Sequence, residues 1–68
     1  MNKEFVKQNE KYFRWLYDLR RSGVCNMYEA PQRMVEAFEN ISIEAAWEIF
    51  DTYREHFGEV AEFLGVKP

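Results

Sequence analysis

Cysteine and histidine each occur once in this chain of 68 residues, and their scarcity excludes two common ways of stabilising a small protein. The single cysteine, Cys25, cannot form a disulfide within the chain. The single histidine, His56, leaves no Cys/His metal site of ordinary spacing, so we expect neither a metal nor another cofactor. A domain this short buries only about 60% of the surface that its unfolded chain exposes. Its stability must therefore come from tight packing or from association with a second copy or a partner.

Long apolar runs and glycine-rich loops are absent as well. No segment approaches the ~18 apolar residues that indicate a membrane span, and the polar N-terminus is unlike a signal peptide. Together with the lone thiol, this pattern predicts a cytoplasmic protein without membrane contacts. The three glycines are scattered along the chain, so we expect no phosphate-binding glycine loop.

The residues that could carry covalent chemistry are few and poorly placed for it. Cys25 follows a predicted helix C-terminus, where the negative end of the helix dipole disfavours a thiolate. We interpret Cys25 as a small buried apolar residue and His56 as a solvent-facing or capping residue. A Cys25–His56 dyad stays open as an alternative, but we predict no catalytic residue and no enzyme.

Aromatic residues, in contrast, are abundant: six Phe, four Tyr and two Trp. Each ring can bury about 150–250 Å², and the apolar residues recur at helical spacing with no strand alternation. The pattern predicts an all-α fold in a single helical domain over residues 1–68. We expect a compact three-helix arrangement with a short fourth C-terminal helical segment.

The first helix is predicted over about residues 3–22, with no proline or glycine inside it. Gly23 suits the left-handed position that ends many helices, and Val24 after it is expected to pack on Leu19. Gly23 should therefore have a positive φ.

A connector and a second helix follow. Asn26 and Glu29 have the spacing of a capping box, which predicts one helical turn at this point. Pro31 suits the first turn of a helix over about residues 31–39.

The third helix, over about residues 43–57, is the most regular segment. Ser42 is its predicted N-cap. We expect Trp47 and Phe50 in the core because they belong to its apolar stripe. Gly58 is predicted to end or bend this helix before the short fourth segment.

An acidic ridge runs along this third helix and beyond it. Its six carboxylates follow at steps of three and four residues: Glu44, Glu48, Asp51, Glu55, Glu59 and Glu62. If the helix continues, they form one line of like charge, which destabilises a helix by about 0.2–0.5 kcal/mol per pair. The ridge is either a solvated face screened by salt or a surface for a basic partner. If it is only solvated, exposed aromatics such as Trp15 and Tyr17 are the next candidates.

Positive charge is concentrated in the first half of the chain. Residues 1–34 carry seven cations and four anions, whereas residues 35–68 carry two cations and eight anions. One interpretation is that a basic helix packs against an acidic one within the fold. Another is a nucleic-acid face on the first helix, whose cations follow at steps of four, four and three: Lys3, Lys7, Lys11 and Arg14.

Residues 22–30, with the sequence S-G-V-C-N-M-Y-E-A, resemble a motif of small phage and prophage proteins, S-G-V-[TC]-N-M-[FY]-x-A. The motif covers nine residues, and the arrangement of helices around it covers most of the chain. That family has no assigned activity, so the resemblance implies a helical fold and a host-cytoplasm setting. We interpret the motif as structural. Gly23, after Ser22, provides the turn, Asn26 provides the cap, and Met27 and Tyr28 are expected to anchor the segment in the core.

Two functional hypotheses follow. The first is a small non-enzymatic, phage-type accessory protein that binds a protein through the acidic ridge. The alternative is a nucleic-acid-associated regulator that uses the basic first helix, either as a monomer or as a dimer. A homo-oligomer is compatible with either hypothesis.

Overall fold

The computed structural model describes residues 1–23 and 26–68, and all the regular structure in these ranges is helical. The elements in chain order are α1 (Lys3–Gln8), α2 (Glu10–Ser22), a 3-10 turn (Met27–Glu29), α3 (Ala30–Ala37), α4 (Ile43–Glu55) and α5 (Phe57–Leu64). They pack into a body of 26 × 25 × 17 Å. The predicted all-α class is confirmed. None of the helices in the described ranges has the length and apolarity needed to cross a membrane.

The predicted first helix is two helices, because Asn9 interrupts it. Asn9 leaves helical geometry at φ −116° and ψ 24°. Its side-chain Nδ2 donates to the Phe5 carbonyl oxygen at 2.9 Å, and its backbone N–H donates to the carbonyl oxygens of Phe5 and Val6. Asparagine competes with the backbone for hydrogen bonds in this way, which explains the end of α1.

The end of α2 matches the prediction at Gly23. This glycine has φ 66°, the left-handed conformation that glycine adopts without strain. Ser22 Oγ donates to the Leu19 carbonyl oxygen at 2.6 Å and so supports the same turn. The expected packing of Val24 on Leu19, and the buried position expected for Cys25, lie outside the described residues.

The caps of the next elements also form where they were predicted. Asn26 Oδ1 accepts a hydrogen bond from the Tyr28 N–H at 2.9 Å, and Pro31 lies in the first turn of α3. Helix α3 is shorter than expected, because Phe38 leaves it in an extended conformation. The Phe38 ring then packs edge-on against Tyr12, with the ring centres 4.8 Å apart.

Helix α4 begins as predicted and ends earlier. Ser42 Oγ accepts from the Ala45 N–H at 3.1 Å. The helix ends at His56, at φ −126° and ψ 36°, and Gly58 lies inside α5, so the prediction that Gly58 ends it is wrong. A straight helix over residues 43–64 would be about 33 Å long, which exceeds the 26 Å length of the protein. The turn at His56 instead brings α5 back against α2 and α4.

Every helix contributes residues to the core. Of the two α4 residues that were predicted to lie in it, one does and one does not. Phe50 is buried, with 3% of its surface exposed, whereas Trp47 is 43% exposed. The inward side of α4 is formed by Ala46, Ile49, Phe50 and Tyr53. Trp47 lies one residue past Ala46, about 100° around the helix, and therefore points away from the core.

Candidate functional site

The acidic ridge does not form a single line along one helix. Four of its carboxylates lie on α4 and two on α5, because the helix stops at His56. Asp51 pairs with Arg54 at 2.8 Å, and Glu59 Oε1 lies 3.5 Å from His56 Nδ1. Among the described residues, no ion pair joins the ridge to α1 or α2. The basic helix α2 does pack against the acidic helices α4 and α5, as one interpretation of the charge pattern expected, but the packing includes no ion pair between the described residues of these helices.

An exposed apolar patch lies beside the ridge. It consists of Tyr28, Ile43 and Trp47, which are 65%, 36% and 43% exposed. Tyr28 and Trp47 both pack edge-on against Phe50, with centroid distances of 6.1 and 5.8 Å. Tyr28 is therefore not the core anchor that the sequence predicted. Its ring and that of Trp47 cover the outer side of a buried Phe.

The apolar patch and the ridge alternate along α4. Glu44 directly follows Ile43, Glu48 directly follows Trp47, and all four side chains are exposed. The result is an apolar strip one turn long with a carboxylate beside each member. The sequence contained a signal for this arrangement, because Ile43 and Trp47 are four residues apart and each precedes a glutamate.

The aromatics that were expected to be exposed on the first helix are half-buried. Trp15 packs edge-on against Phe38 at 5.8 Å, and Tyr17 packs against the core. Sequence reasoning therefore placed the exposed rings on the wrong helix. The prediction of a free aromatic surface at Trp15 and Tyr17 is wrong.

The predicted nucleic-acid face is divided by the break at Asn9. Lys3 and Lys7 belong to α1, whereas Lys11 and Arg14 belong to α2. Arg14 Nε donates to Glu10 Oε2 at 2.8 Å, and its Nη2 donates to the Leu64 carbonyl oxygen at 3.2 Å. Lys11 Nζ lies 5.1 Å from the centre of the Tyr12 ring. The two α2 cations thus already interact with groups of the protein.

A cavity of about 640 Å³ opens between the end of α2 and the turn that joins α4 to α5. We call it the basic cavity, because three cations and three aromatic rings line it: Arg20, Arg21, Lys67, Tyr17, Tyr53 and Phe57. Val66 and Pro68, the last residue of the sequence, complete the described lining, which contains no Asp or Glu. Sequence reasoning did not find this site, since its cations come from two distant segments.

Tyr53 is the most unusual member of the basic cavity. Its side chain is 4% exposed, and its hydroxyl is buried without a hydrogen-bond partner among the described residues. Burial raises the pKa of Tyr53, and the nearby Arg20 guanidinium lowers it in part. The two groups are close enough to interact electrostatically, but their geometry falls short of a formed hydrogen bond.

No cluster of three or more His, Cys, Asp or Glu side chains in residues 1–23 and 26–68 is arranged to hold a metal ion. His56 ends α4, where its backbone N–H donates to the Thr52 carbonyl oxygen at 3.0 Å. His56 thus occupies a cap position, as the sequence favoured, but its side chain makes no cap hydrogen bond to α5. Comparison of the chain with models of protein families, with curated proteins and with solved structures finds no match.

Proposed function

We propose that this protein is a small non-enzymatic binding protein that docks a basic partner protein on the outer face of α4. The observation that carries the proposal is the alternation of exposed apolar and acidic side chains at successive turns, Ile43–Glu44 and Trp47–Glu48. Tryptophan is enriched among the residues that dominate binding energy. Charges beside such an anchor steer the partner and fix its orientation.

The carboxylates of this face repel one another in the free protein. Glu44 and Glu48 lie one turn apart, and like charges at this spacing destabilise a helix by about 0.2–0.5 kcal/mol. Neither forms an ion pair with another described residue. A partner that presents lysine or arginine relieves this repulsion while its apolar side chains cover Ile43 and Trp47.

The resemblance of residues 22–30 to small phage and prophage proteins supports an accessory role in the cytoplasm of a host cell, and we propose that setting. The alternative is a nucleic-acid-associated regulator that uses Lys3, Lys7, Lys11 and Arg14. It has less support, because Arg14 is held by Glu10 and by the end of α5.

The test compares the proteins that three forms of the chain capture from a host-cell lysate. The wild type is expected to retain a partner that the variant Glu44→Lys/Glu48→Lys loses, because the reversal turns attraction into repulsion. We leave Asp51 unchanged because it pairs with Arg54. The matched control is Glu4→Lys/Glu36→Lys, which makes the same change of charge at exposed positions on α1 and α3.

The control is expected to retain the partner. Equal capture by all three forms would contradict the proposal. Capture of nucleic acid that weakens steeply with salt and is lost in Lys7→Gln/Lys11→Gln would support the alternative instead. A concentration-dependent dimer that Trp47→Ser abolishes would identify a second copy of the chain as the occupant.

A further inference from the structure

The cations of the basic cavity have no acidic partner in the described part of the chain. None of the four ion pairs found there involves Arg20, Arg21 or Lys67. In a protein whose net charge is −3, three unpaired cations around one cavity are a local excess of positive charge. Such a site attracts an anion, because low-dielectric walls strengthen the interaction relative to open water.

The arginines lie beside aromatic rings. The guanidinium carbon of Arg20 is 3.8 Å from the centre of the Phe57 ring, in close contact with it, and that of Arg21 is 5.6 Å from the centre of the Tyr17 ring. A guanidinium next to a ring keeps its N–H donors available to a bidentate carboxylate or phosphate.

Tyr53 also lines the cavity. Its hydroxyl is enclosed by the protein, without a hydrogen-bond partner among the described residues, and burial raises its pKa. Tyr53 therefore stays neutral beside the cations and brings no negative charge to the cavity.

We propose that the basic cavity binds a phosphate monoester carried on a flat ring. Three cations suit the charge of a phosphate monoester, close to −2 at neutral pH. Tyr17 and Phe57 provide apolar walls for the ring. The volume of about 640 Å³ falls within the range of roughly 300–1,000 Å³ that is typical of small-molecule sites. The cavity lining includes neither Trp47 nor Glu48, so this site and the proposed docking face can fail independently.

The test is isothermal titration calorimetry of the full chain with phenyl phosphate, inorganic phosphate and phenol. Phenyl phosphate is expected to bind saturably and more tightly than either of the others, since only it has both the anion and the ring. Failure of phenyl phosphate to bind would overturn the proposal. Equal affinity for phenyl phosphate and inorganic phosphate would overturn the part of the proposal that concerns the ring.

Substitutions of the lining cations test whether phenyl phosphate binds in the basic cavity. Arg20→Gln/Arg21→Gln is expected to weaken phenyl phosphate binding by about tenfold or more, as the loss of charge-assisted hydrogen bonds implies. The control Lys3→Gln/Lys7→Gln makes the same change of charge on α1 and should bind as the wild type does. An equal loss in both would show that net charge alone drives binding and would overturn the site.

Lys67→Gln is a second variant that leaves every helix unchanged, so its weaker binding cannot be attributed to unfolding. Unchanged affinity in Lys67→Gln and in a folded Arg20→Gln/Arg21→Gln protein would overturn the site. Titration with 5′-nucleoside monophosphates and with O-phosphotyrosine then distinguishes the two natural sources of this chemistry. The tighter ligand identifies the source, and failure of both would overturn the assignment to a biological phosphate monoester.

Discussion

Helices α2 and α4 are both thirteen residues long, and both place charged side chains beside aromatic rings. On α2 the charges are mostly positive, and Arg20 and Arg21 lie beside the rings of Phe57 and Tyr17, which are half-buried. On α4 the charges are mostly negative, and Trp47 beside Glu48 stays 43% exposed. The rings beside positive charges are thus less exposed to solvent than the ring beside a negative charge.

Physical chemistry explains this difference. The face of an aromatic ring is electrostatically negative, so it attracts a guanidinium and repels a carboxylate. Arginine also has a long apolar stem that covers its surroundings, whereas glutamate is shorter and strongly hydrated. The single arginine of α4 behaves like those of α2, since Arg54 lies 5.9 Å over the Phe50 ring. The arginines of α2 therefore cover rings of α2 and of α5, whereas Trp47 of α4, beside Glu48, stays available to a partner.

The largest expected effect is a loss of stability, and it should differ between the inward and outward sides of α4. Phe50→Ala should lower the free energy of unfolding by about 3–5 kcal/mol, because it leaves a cavity in the core. Trp47→Ala should lower it by less, about 1–2 kcal/mol, because 43% of its surface is already exposed and its removal leaves no enclosed cavity. Chemical denaturation of both variants measures the difference. A loss in Trp47→Ala as large as that in Phe50→Ala would place Trp47 in the core after all.

The next effect concerns the glycine that ends α2. Gly23→Ala should destabilise the protein by about 1 kcal/mol, since a Cβ disfavours the positive φ at this position. Gly58→Ala is the matched control on α5, where no atom lies within 4 Å of the added Cβ. It should stabilise the protein by about 0.5–1 kcal/mol through helix propensity. Thermal unfolding that shifts in the same direction for both would contradict this assignment.

A smaller effect tests the stacking on α2 against the exposed charge on α4. Arg20→Ala should cost about 0.5–1 kcal/mol, because it removes the cation from the Phe57 ring. Glu48→Ala removes an exposed carboxylate that pairs with no other described residue, so its effect should stay within about 0.5 kcal/mol. Urea denaturation at low and high salt separates the two. An equal loss in both variants would remove the contrast between the helices.

The smallest effect at neutral pH concerns Tyr53, where α4 meets Arg20 of α2. Burial raises the pKa of Tyr53 above its ordinary value of 10.0, so the folded state holds this proton more tightly than the unfolded state. The resulting stabilisation is complete below about pH 10 and is lost as the pH rises through the folded pKa. The free energy of unfolding of the wild type should therefore fall relative to that of Tyr53→Phe above about pH 10. A difference that stays constant with pH would contradict this prediction.

Sequence alone was sufficient for three features that depend on neighbouring residues. The cap at Ser42, the turn at Gly23 and the place of Pro31 in the first turn of α3 are local, since each depends on side chains and backbone groups a few residues apart. The breaks at Asn9 and His56 were missed. The Asn9 break is local too, since its side chain bonds to a carbonyl oxygen one turn earlier, but an asparagine within a helical pattern does not by itself indicate a break. The His56 break accompanies the return of α5 against α2 and α4, which is tertiary information.

The misplaced aromatics have a similar cause. Helix α4 has apolar residues around more than half of its circumference, including Ile43, Ala46, Trp47, Ile49 and Phe50. Helical periodicity therefore cannot decide which of them face inward. The choice depends on where α2 and α3 pack, which is tertiary information. The basic cavity was missed for the same reason, because it joins Arg20 and Arg21 to Lys67 across the fold.

The hydrogen bond from Arg14 Nη2 to the Leu64 carbonyl oxygen joins residues that are 50 positions apart. Helix α5 also packs against α2. The last helix therefore supports the long helix near the start of the chain. Opening of α5 removes packing from α2, so amide hydrogens of α2 and α5 should exchange with solvent as one cooperative unit.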